Sequence, residues 1–280
     1  MSQAQNTTFT RLQVQQLRKK AERARRADTL ELPESDLLYE DPEVMADQLA
    51  WLLQEVGYYK RALERDPNDT AAKNRLESAR KQEQEQRRQI GNGWFVSDVD
   101  PMTVLCAFPS LRIRYGFRLG AYRYASGAGG NAIVWAIPEN SPLPSVEPGC
   151  SDPPRPPGAL DDFMEAIDGD GSARSFLSAS LLAREAAEIG AEWHGRSWSD
   201  HQILYEDPEV SKEWKWLVDK PRCWLPAVEI VEVGASVRFY TFTEMGVVRI
   251  TQWTDRFSHV GCAFKTEQVD ICFGPGFRVY

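Results

Sequence analysis

The sequence lacks any apolar run near the ~20 residues that a helix needs to span a bilayer, so it predicts no transmembrane segment. The polar first ten residues precede Arg11, and we expect no secretory signal there. Cysteine is scarce, and its five copies are odd in number and never close together: Cys106, Cys150, Cys223, Cys262 and Cys272. Neither a disulfide framework nor a thiol-rich zinc site is predicted, and we expect reduced thiols in a soluble, cytoplasmic protein.

The sequence also lacks an even distribution of charge. Residues 1–34 contain seven basic and four acidic side chains, a balance of +3. Because the whole chain has a net charge of −8, the remaining residues carry −11. An acidic body repels phosphate, so nucleic-acid binding is not expected except through the basic arm at 11–26. That arm is interpreted either as a solvated helix or as a segment that binds RNA, an anionic lipid surface or an acidic partner. Its arginines also leave organelle import open.

What the chain does contain is enough apolar surface for a core. Hydrophobic residues make up 42% and aromatic residues 11% of its 280 residues, which is typical of a globular protein with one large or two smaller bodies. We divide it into a partly disordered or helical arm (1–34), a helical hairpin with a charged helix (35–92) and a larger body (93–280).

The helical front is introduced by Asp41-Pro42-Glu43, which combines a capping carboxylate, a first-turn proline and an acid near the helix dipole. The segment Tyr58–Asp69 resembles the second half of a tetratricopeptide repeat, and the resemblance extends over about residues 46–80. Tyr59, Ala62 and Pro67 occupy the aromatic, small and turn positions of that family. The resemblance implies a lone helical hairpin, and a charged helix over 73–89 is predicted to end near Gly91.

The body has the sequence pattern of strands. Residues 111–125, 132–137 and 226–273 alternate apolar or aromatic with polar side chains and are separated by turn residues. We predict an α+β fold: a mainly antiparallel β body, as a sheet or partial barrel, with a helical insert at 159–218. One sheet built from both strand blocks is preferred to two separate β modules. The Pro-rich segment 138–158 is interpreted as an extended linker, with an SH3-type ligand as the alternative.

Two glycine-containing segments lack residues that phosphate-binding and calcium-binding loops require. The stretch 127–130 lacks the Lys-Ser/Thr ending of a phosphate loop, so it predicts a tight turn. The stretch Asp168–Gly171 lacks the closing Glu of a calcium loop, so it predicts a turn before Ser172, the expected cap of a helix over 173–189 that ends at Gly190. We predict no cofactor and no bound metal.

A seven-residue sequence occurs twice, as residues 38–44 and 204–210, and both copies are Leu-Tyr-Glu-Asp-Pro-Glu-Val. Its Asp-Pro-Glu core predicts a helix start in both places. Chance combined with capping chemistry is one explanation, and a duplicated docking element is the other.

The densest polar and aromatic cluster lies at residues 192–201. It holds Glu192, His194, Asp200 and His201, and the two histidines are seven residues apart. Metal-ligand spacing is not met, and the Gly195–Ser199 stretch lacks the second glycine of a nucleophile elbow. A catalytic or ligand site is one interpretation, and a histidine hydrogen-bonded in an aromatic core is the other.

Two functions of different class follow from these patterns. The favoured one is a non-enzymatic interaction or assembly factor, in which the helical front docks on a protein partner and the acidic body is a platform. The candidate interaction residues are Tyr39, Tyr58, Tyr59 and Tyr205. The alternative is an enzyme or small-ligand binder that uses the 192–201 cluster, with Trp135, Tyr240 and Trp253 from the strands.

Overall fold

A computed structural model describes most of the chain. The described residues are 4–25, 42–90, 93–97, 99–126, 129–146, 152–193, 197–211, 213–258 and 261–278. Side chains are not described at 42–50 or 83–90, nor at a few positions inside other elements.

The described residues form five α-helices, thirteen strands and two short 3-10 helices. The α-helices are α1 (Arg11–Ala24), α2 (Pro42–Arg65), α3 (Thr70–Ile90), α4 (Pro101–Cys106) and α5 (Ala173–Ala186); the 3-10 helices are Phe163–Ala166 and Trp198–Asp200. The strands are β1 (Gln5–Thr8), β2 (Gly93–Val96), β3 (Leu111–Ile113), β4 (Phe117–Ser126), β5 (Gly129–Pro138), β6 (Ile167–Gly169), β7 (Glu192–Trp193), β8 (Gln202–Ile203), β9 (Lys215–Trp216), β10 (Ala227–Val231), β11 (Gly234–Thr243), β12 (Gly246–Phe257) and β13 (Phe264–Arg278). Among the described helices, none is long and apolar enough to cross a membrane.

All strand pairs in the described part of the chain are antiparallel, so the predicted α+β fold with a mainly antiparallel β body is confirmed. The large sheet has the order β1-β10-β11-β12-β13-β9, with β8 added to β11. The small sheet has the order β2-β4-β5-β7, and β3 pairs with β6 in a separate ribbon.

The expected single sheet built from both strand blocks is wrong, because the blocks form different sheets. The two sheets nevertheless contribute to one hydrophobic core, since Ala121 and Val134 belong to the same buried cluster as Val228 and Phe239. The reason for the separation is that helices lie between them. Helix α5 packs on β10 and β11, α4 packs on β4, and the two helices pack on each other.

The basic arm is part of this core rather than a solvated extension. Thr10 caps α1 and forms a reciprocal capping box with Gln13. Val14, Leu17 and Ala21 on its apolar stripe are buried, because β1 pairs with β10 and α1 packs on α4 and α5. The interpretation of the arm at 11–26 as a solvated helix is therefore wrong for its described residues, and residues 26–34 lie outside the described residues.

The Pro-rich segment covers the outer face of the small sheet. Leu143 and Val146 pack against a second small core that contains Tyr122 and Trp135. The Tyr122 hydroxyl donates a hydrogen bond to the Pro144 carbonyl, at 2.9 Å. The described part of 138–158 is thus packed structure rather than a free linker, because the apolar outer face of β4 and β5 needs a cover.

The predicted helical insert at 159–218 contains a single α-helix, α5, among its described residues. Ser172 caps α5, as predicted. Strands β6, β8 and β9 of the same segment pair with β3, β11 and β13. Most of the segment is therefore irregular chain or short strand that joins the sheets, not an inserted helical unit.

The two copies of the seven-residue sequence differ in structure. Pro42 begins α2, whereas residues 204–210 form no helix. The predicted helix start at 207–209 is therefore wrong, and the described chain continues without a helix toward Trp214 and Trp216. Trp216 lies in β9, pairs with β13, and packs with Trp214 against the outer face of the large sheet. Residues 38–41 of the first copy lie outside the described residues.

Candidate functional site

The structure separates the residues of the predicted 192–201 cluster. The backbone of Glu192 pairs with Gly130 in the small sheet. Asp200 ends the short helix that precedes His201, and His201 packs on the large sheet instead. His194 lies outside the described residues. Glu192 thus lies in the small sheet while His201 packs on the large sheet, and the structure does not show the four residues as one site.

His201 is held by a hydrogen-bonded threonine. Its Nδ1 lies 2.9 Å from the Thr241 Oγ1, and the Trp253 indole donates to the same oxygen at 2.8 Å. Because an indole N–H can only donate, the Thr241 hydroxyl can give its own proton to Nδ1. In that arrangement the ring is the neutral tautomer with its proton on Nε2.

The surroundings of His201 keep it uncharged. Burial, followed by the positive charges of Arg249, Arg18 and Arg184, lowers the pKa of His201 to about 4, and the carboxylate of Glu188 opposes this shift only in part. At neutral pH the ring therefore carries no charge. A group with this pKa is a weak base, and the His201 side chain is only partly exposed.

Aromatic rings enclose the histidine. The Trp198 ring stacks on His201 at a centroid distance of 5.9 Å, and the Trp253 ring meets it edge-on at 5.5 Å. Phe239 stacks on Trp253 at 6.2 Å. Of the aromatic residues that the alternative function required, only Trp253 lies here. Trp135 and Tyr240 belong to two other buried clusters.

A buried ionic layer ties α1 to α5 above these rings. The Arg18 Nε donates to Glu185 Oε1 at 2.9 Å, and the Trp198 Nε1 donates to the same oxygen at 2.9 Å. Arg25 pairs with both Glu185 and Glu188. Arg18 and Arg25 are seven residues apart, so two helical turns place both guanidinium groups on one face of α1.

Glu188 organises the loop before His201. Its carboxylate accepts hydrogen bonds from the amides of Ser197 and Ser199, at 2.6 and 3.0 Å, and from the Ser199 hydroxyl, at 2.5 Å. Burial alone would raise the pKa of Glu188, but the Ser199 hydrogen bonds and the Arg25 charge outweigh it, so the pKa lies below its ordinary value. The charged Glu188 thereby fixes the position of the 3-10 helix.

A second buried ion pair joins α5 to the large sheet. Arg184 donates to both carboxylate oxygens of Asp255, at 2.7 and 2.9 Å. Its guanidinium also lies 4.7 Å from the Trp253 ring centroid. Ser180 and Thr266 donate to the same carboxylate. These hydrogen bonds and the ion pair compensate the large free-energy cost of burying the charge of Asp255.

These contacts describe a buried polar layer whose charged groups are paired, although Glu185 Oε2 and Arg184 Nε accept or donate no hydrogen bond within the described residues. Within the described residues, no group of three His, Cys, Asp or Glu side chains could hold a metal ion. The hydrogen-bond partner of the His201 ring is a threonine rather than a carboxylate, so the arrangement of a nucleophile, base and orienting acid is not formed by the side chains described at this position. The geometry favours the interpretation of a hydrogen-bonded histidine in an aromatic core.

The predicted interaction tyrosines fall into two environments. Tyr58 on α2 is 61% exposed, and the ring of Tyr59 meets it edge-on at 5.2 Å. Tyr205 packs against the main core, and burial raises its pKa to about 12. Tyr205 is therefore a packing residue in this structure, and Tyr39 lies outside the described residues.

Sequence reasoning missed the charged residues that join α1, α5 and the large sheet. A signal was present in α5, because Glu185 and Glu188 lie in or directly after a helix otherwise rich in leucine and alanine. Acids in such a helix require buried partners. Their partners Arg18 and Arg25 are more than 150 residues away, so only the tertiary fold could reveal them.

Comparison of the chain with protein-family models, curated proteins and solved structures found no match. The functional assignment therefore depends on the residues themselves.

Proposed function

We propose that the protein is an interaction or assembly factor whose helical hairpin, α2 with α3, docks on a protein partner while the acidic α+β body is the platform. The observation that carries this proposal is that the two helices pack chiefly on each other. Neither makes a comparable interface with any other described element. A helix pair with a free outer surface is available to a partner.

The seam and the outer face of the hairpin differ in composition. Leu52 and Val56 of α2 and Ala72 and Ala79 of α3 are buried. Two aromatic side chains remain outside, Trp51 at 42% and Tyr58 at 61% exposure. They are seven residues apart, so they lie on one face of α2, about two helical turns from each other.

Exposed tryptophan and tyrosine support a docking role because these residue types dominate the binding energy of protein interfaces. The likeness of residues 46–80 to a tetratricopeptide repeat stays a prediction, since two paired helices occur in many folds. The enzymatic alternative gains no support from the packed environment of His201.

The test is cross-linking from α2. A photoreactive amino acid replaces Tyr58 in the full chain, and a second protein carries it at Val233, which is 76% exposed on the body. We expect the first protein to form a discrete cross-linked complex in its native cell extract. The substitution Trp51→Ser should abolish this complex, because it removes the neighbouring anchor.

A matched control and a contrary outcome complete the design. The exposed Leu217→Ser variant, which changes an apolar side chain on the body, should leave the complex intact. Equal cross-linking from positions 58 and 233, or complexes insensitive to Trp51→Ser, would show that the hairpin face is not the docking surface.

A further inference from the structure

A groove beside the turn between β3 and β4 has features of a ligand site. Its volume is about 550 Å³, which lies within the range of small-molecule pockets, and it is separate from the hairpin and from His201. The residues that matter to its chemistry are Arg112, Arg114, Tyr115, Phe117, Glu139 and Asp168.

The turn presents Tyr115 in a fixed position. The Phe117 amide donates to the Arg114 carbonyl at 3.1 Å, and Gly116 has a φ of +84°, as the third position of a type II turn requires. The Glu139 amide donates to the Gly116 carbonyl at 2.9 Å and ties the turn to the end of β5. The Tyr115 side chain is nevertheless 97% exposed. A rigid backbone thus presents a ring that packs on nothing in the described part of the chain.

Two arginines and two acids line the groove, so its formal charge is balanced, but not all of these charges are paired. Arg112 and Asp168 are directly opposite in the β3–β6 ribbon. Asp168 instead pairs with Arg114, whose Nη2 lies 3.3 Å from Oδ1. The Arg112 side chain is exposed and forms no hydrogen bond or ion pair with the described residues. Asp168 is therefore occupied by Arg114, and an anionic group of a ligand would give the Arg112 guanidinium a partner.

We propose that the groove binds a monocarboxylate that carries an aromatic or apolar group. The carboxylate pairs with the free Arg112 guanidinium, whose planar fork matches two carboxylate oxygens. The apolar group lies against Tyr115 and Phe117. Glu139 at the groove disfavours multiply charged ligands such as phosphate esters, because its negative charge repels them.

The test uses phenylacetate as the probe of a free acid and a short peptide ending in phenylalanine as the probe of a chain terminus. Benzylamine and the same peptide with a C-terminal amide are the controls. Binding is followed on the intact protein by the amide NMR signals of Tyr115 and Gly116. We expect saturable shifts with at least one carboxylate probe and none with either control.

Variants locate the interaction. Arg112→Gln should weaken the binding about tenfold or more, as the loss of a charge-assisted hydrogen bond does. Arg222→Gln, which removes another exposed guanidinium outside the groove, should leave it unchanged. Tyr115→Ala should weaken the aromatic probe while leaving the fold intact, since its side chain is exposed.

Every outcome of this binding experiment either supports or overturns the proposal. Binding of phenylacetate and the peptide alike supports a small-molecule site, and binding of the peptide alone supports capture of a chain terminus. Failure of both carboxylates, equal binding of benzylamine, or binding that survives Arg112→Gln overturns the proposal. None of these results depends on the hairpin.

Discussion

At the scale of single residues, the buried charges of this protein occur in matched sets. Arg184 forms an ion pair with Asp255, and Arg25 forms ion pairs with Glu185 and Glu188. His201 differs because its hydrogen-bond partner, Thr241, is neutral and its charged neighbours are mostly cations. Protonation of this one ring would therefore place an uncompensated charge at a partly buried position, which makes its titration measurable in the stability of the protein.

His201 should make the protein less stable in mild acid. Its pKa is about 4 in the folded chain, against an ordinary value of 6.5 for an exposed histidine, so the unfolded chain binds more protons between these values. The neutral ring therefore contributes its full stabilisation above the unfolded pKa of 6.5. As the pH drops toward the folded pKa of about 4, the free energy of unfolding falls by up to about 1.4 kcal/mol per pH unit. Urea unfolding of the wild type and of His201→Gln at about pH 7 and about pH 5 measures the effect. The variant should lose less stability than the wild type between the two; an equal loss would contradict a neutral buried ring.

Cysteine reactivity should follow burial. Cys262 is buried, and burial, reinforced by the charge of Asp168, raises its pKa to about 12. Cys106 and Cys223 are exposed. Because the thiolate is the reactive form, iodoacetamide should modify Cys223 and Cys106 in the native protein and reach Cys262 only after unfolding. Peptide mass spectrometry over time checks the order, and labelling of Cys262 at the rate of Cys223 would disprove it.

At the scale of elements, local sequence signals succeed where the structure is local. The cap of α5 at Ser172 was predictable because the serine side chain bonds to the next turn. The strands near the C-terminus were predictable from the alternation over 226–273, where the structure has β10, β11, β12 and β13. The prediction of a helix start at Asp207 was wrong, because helix preference is weak and tertiary contacts can override it in one copy of the same seven residues and not in the other.

Helix α1 illustrates what sequence alone could not supply. Its apolar stripe is thin, and such a helix is marginal without tertiary contacts. Its partners Glu185 and Glu188 lie far away in the chain, and their contact with Arg18 and Arg25 converts a basic arm into a buried element. The His201 environment was equally hidden, because Thr241 and Trp253 approach it only in the folded sheet.

The attachment of α1 should depend strongly on Arg25. Arg25→Ala leaves the buried Glu188 without its cationic partner, and removing one member of a buried pair costs about 3–5 kcal/mol. Arg23→Ala, at an exposed position of the same helix, should change stability by about 0.5 kcal/mol or less. Denaturant unfolding gives both values, and limited proteolysis of the Arg25→Ala variant should cut first near α1. Similar stabilities of the two variants would show that the ionic layer does not anchor the helix.

At the scale of the whole molecule, the packing divides unequally. The large sheet, the small sheet, α1, α4 and α5 contribute to one buried cluster. The side chains of α2 and α3 that the structure describes contribute none of the residues of that cluster, and the two helices pack on each other. Stability of the body should therefore depend little on the hairpin, whereas the proposed docking function should depend on it entirely.

Excision of the hairpin tests this division directly. Replacing residues 42–90 with a flexible glycine–serine linker removes α2 and α3 but none of the described members of the shared core. We expect the shortened protein to keep a cooperative unfolding transition and the near-ultraviolet circular dichroism of its packed tryptophans, because Trp198, Trp216 and Trp224 lie in the body. It should also lose the partner that cross-links through position 58.

Excision of the described surface segment 139–146, which covers the small sheet through Leu143, is the contrasting control and should broaden the transition. A hairpin-free protein that fails to unfold cooperatively would show that α2 and α3 are structural parts of the body, and their exposed aromatic face would then need another explanation than docking.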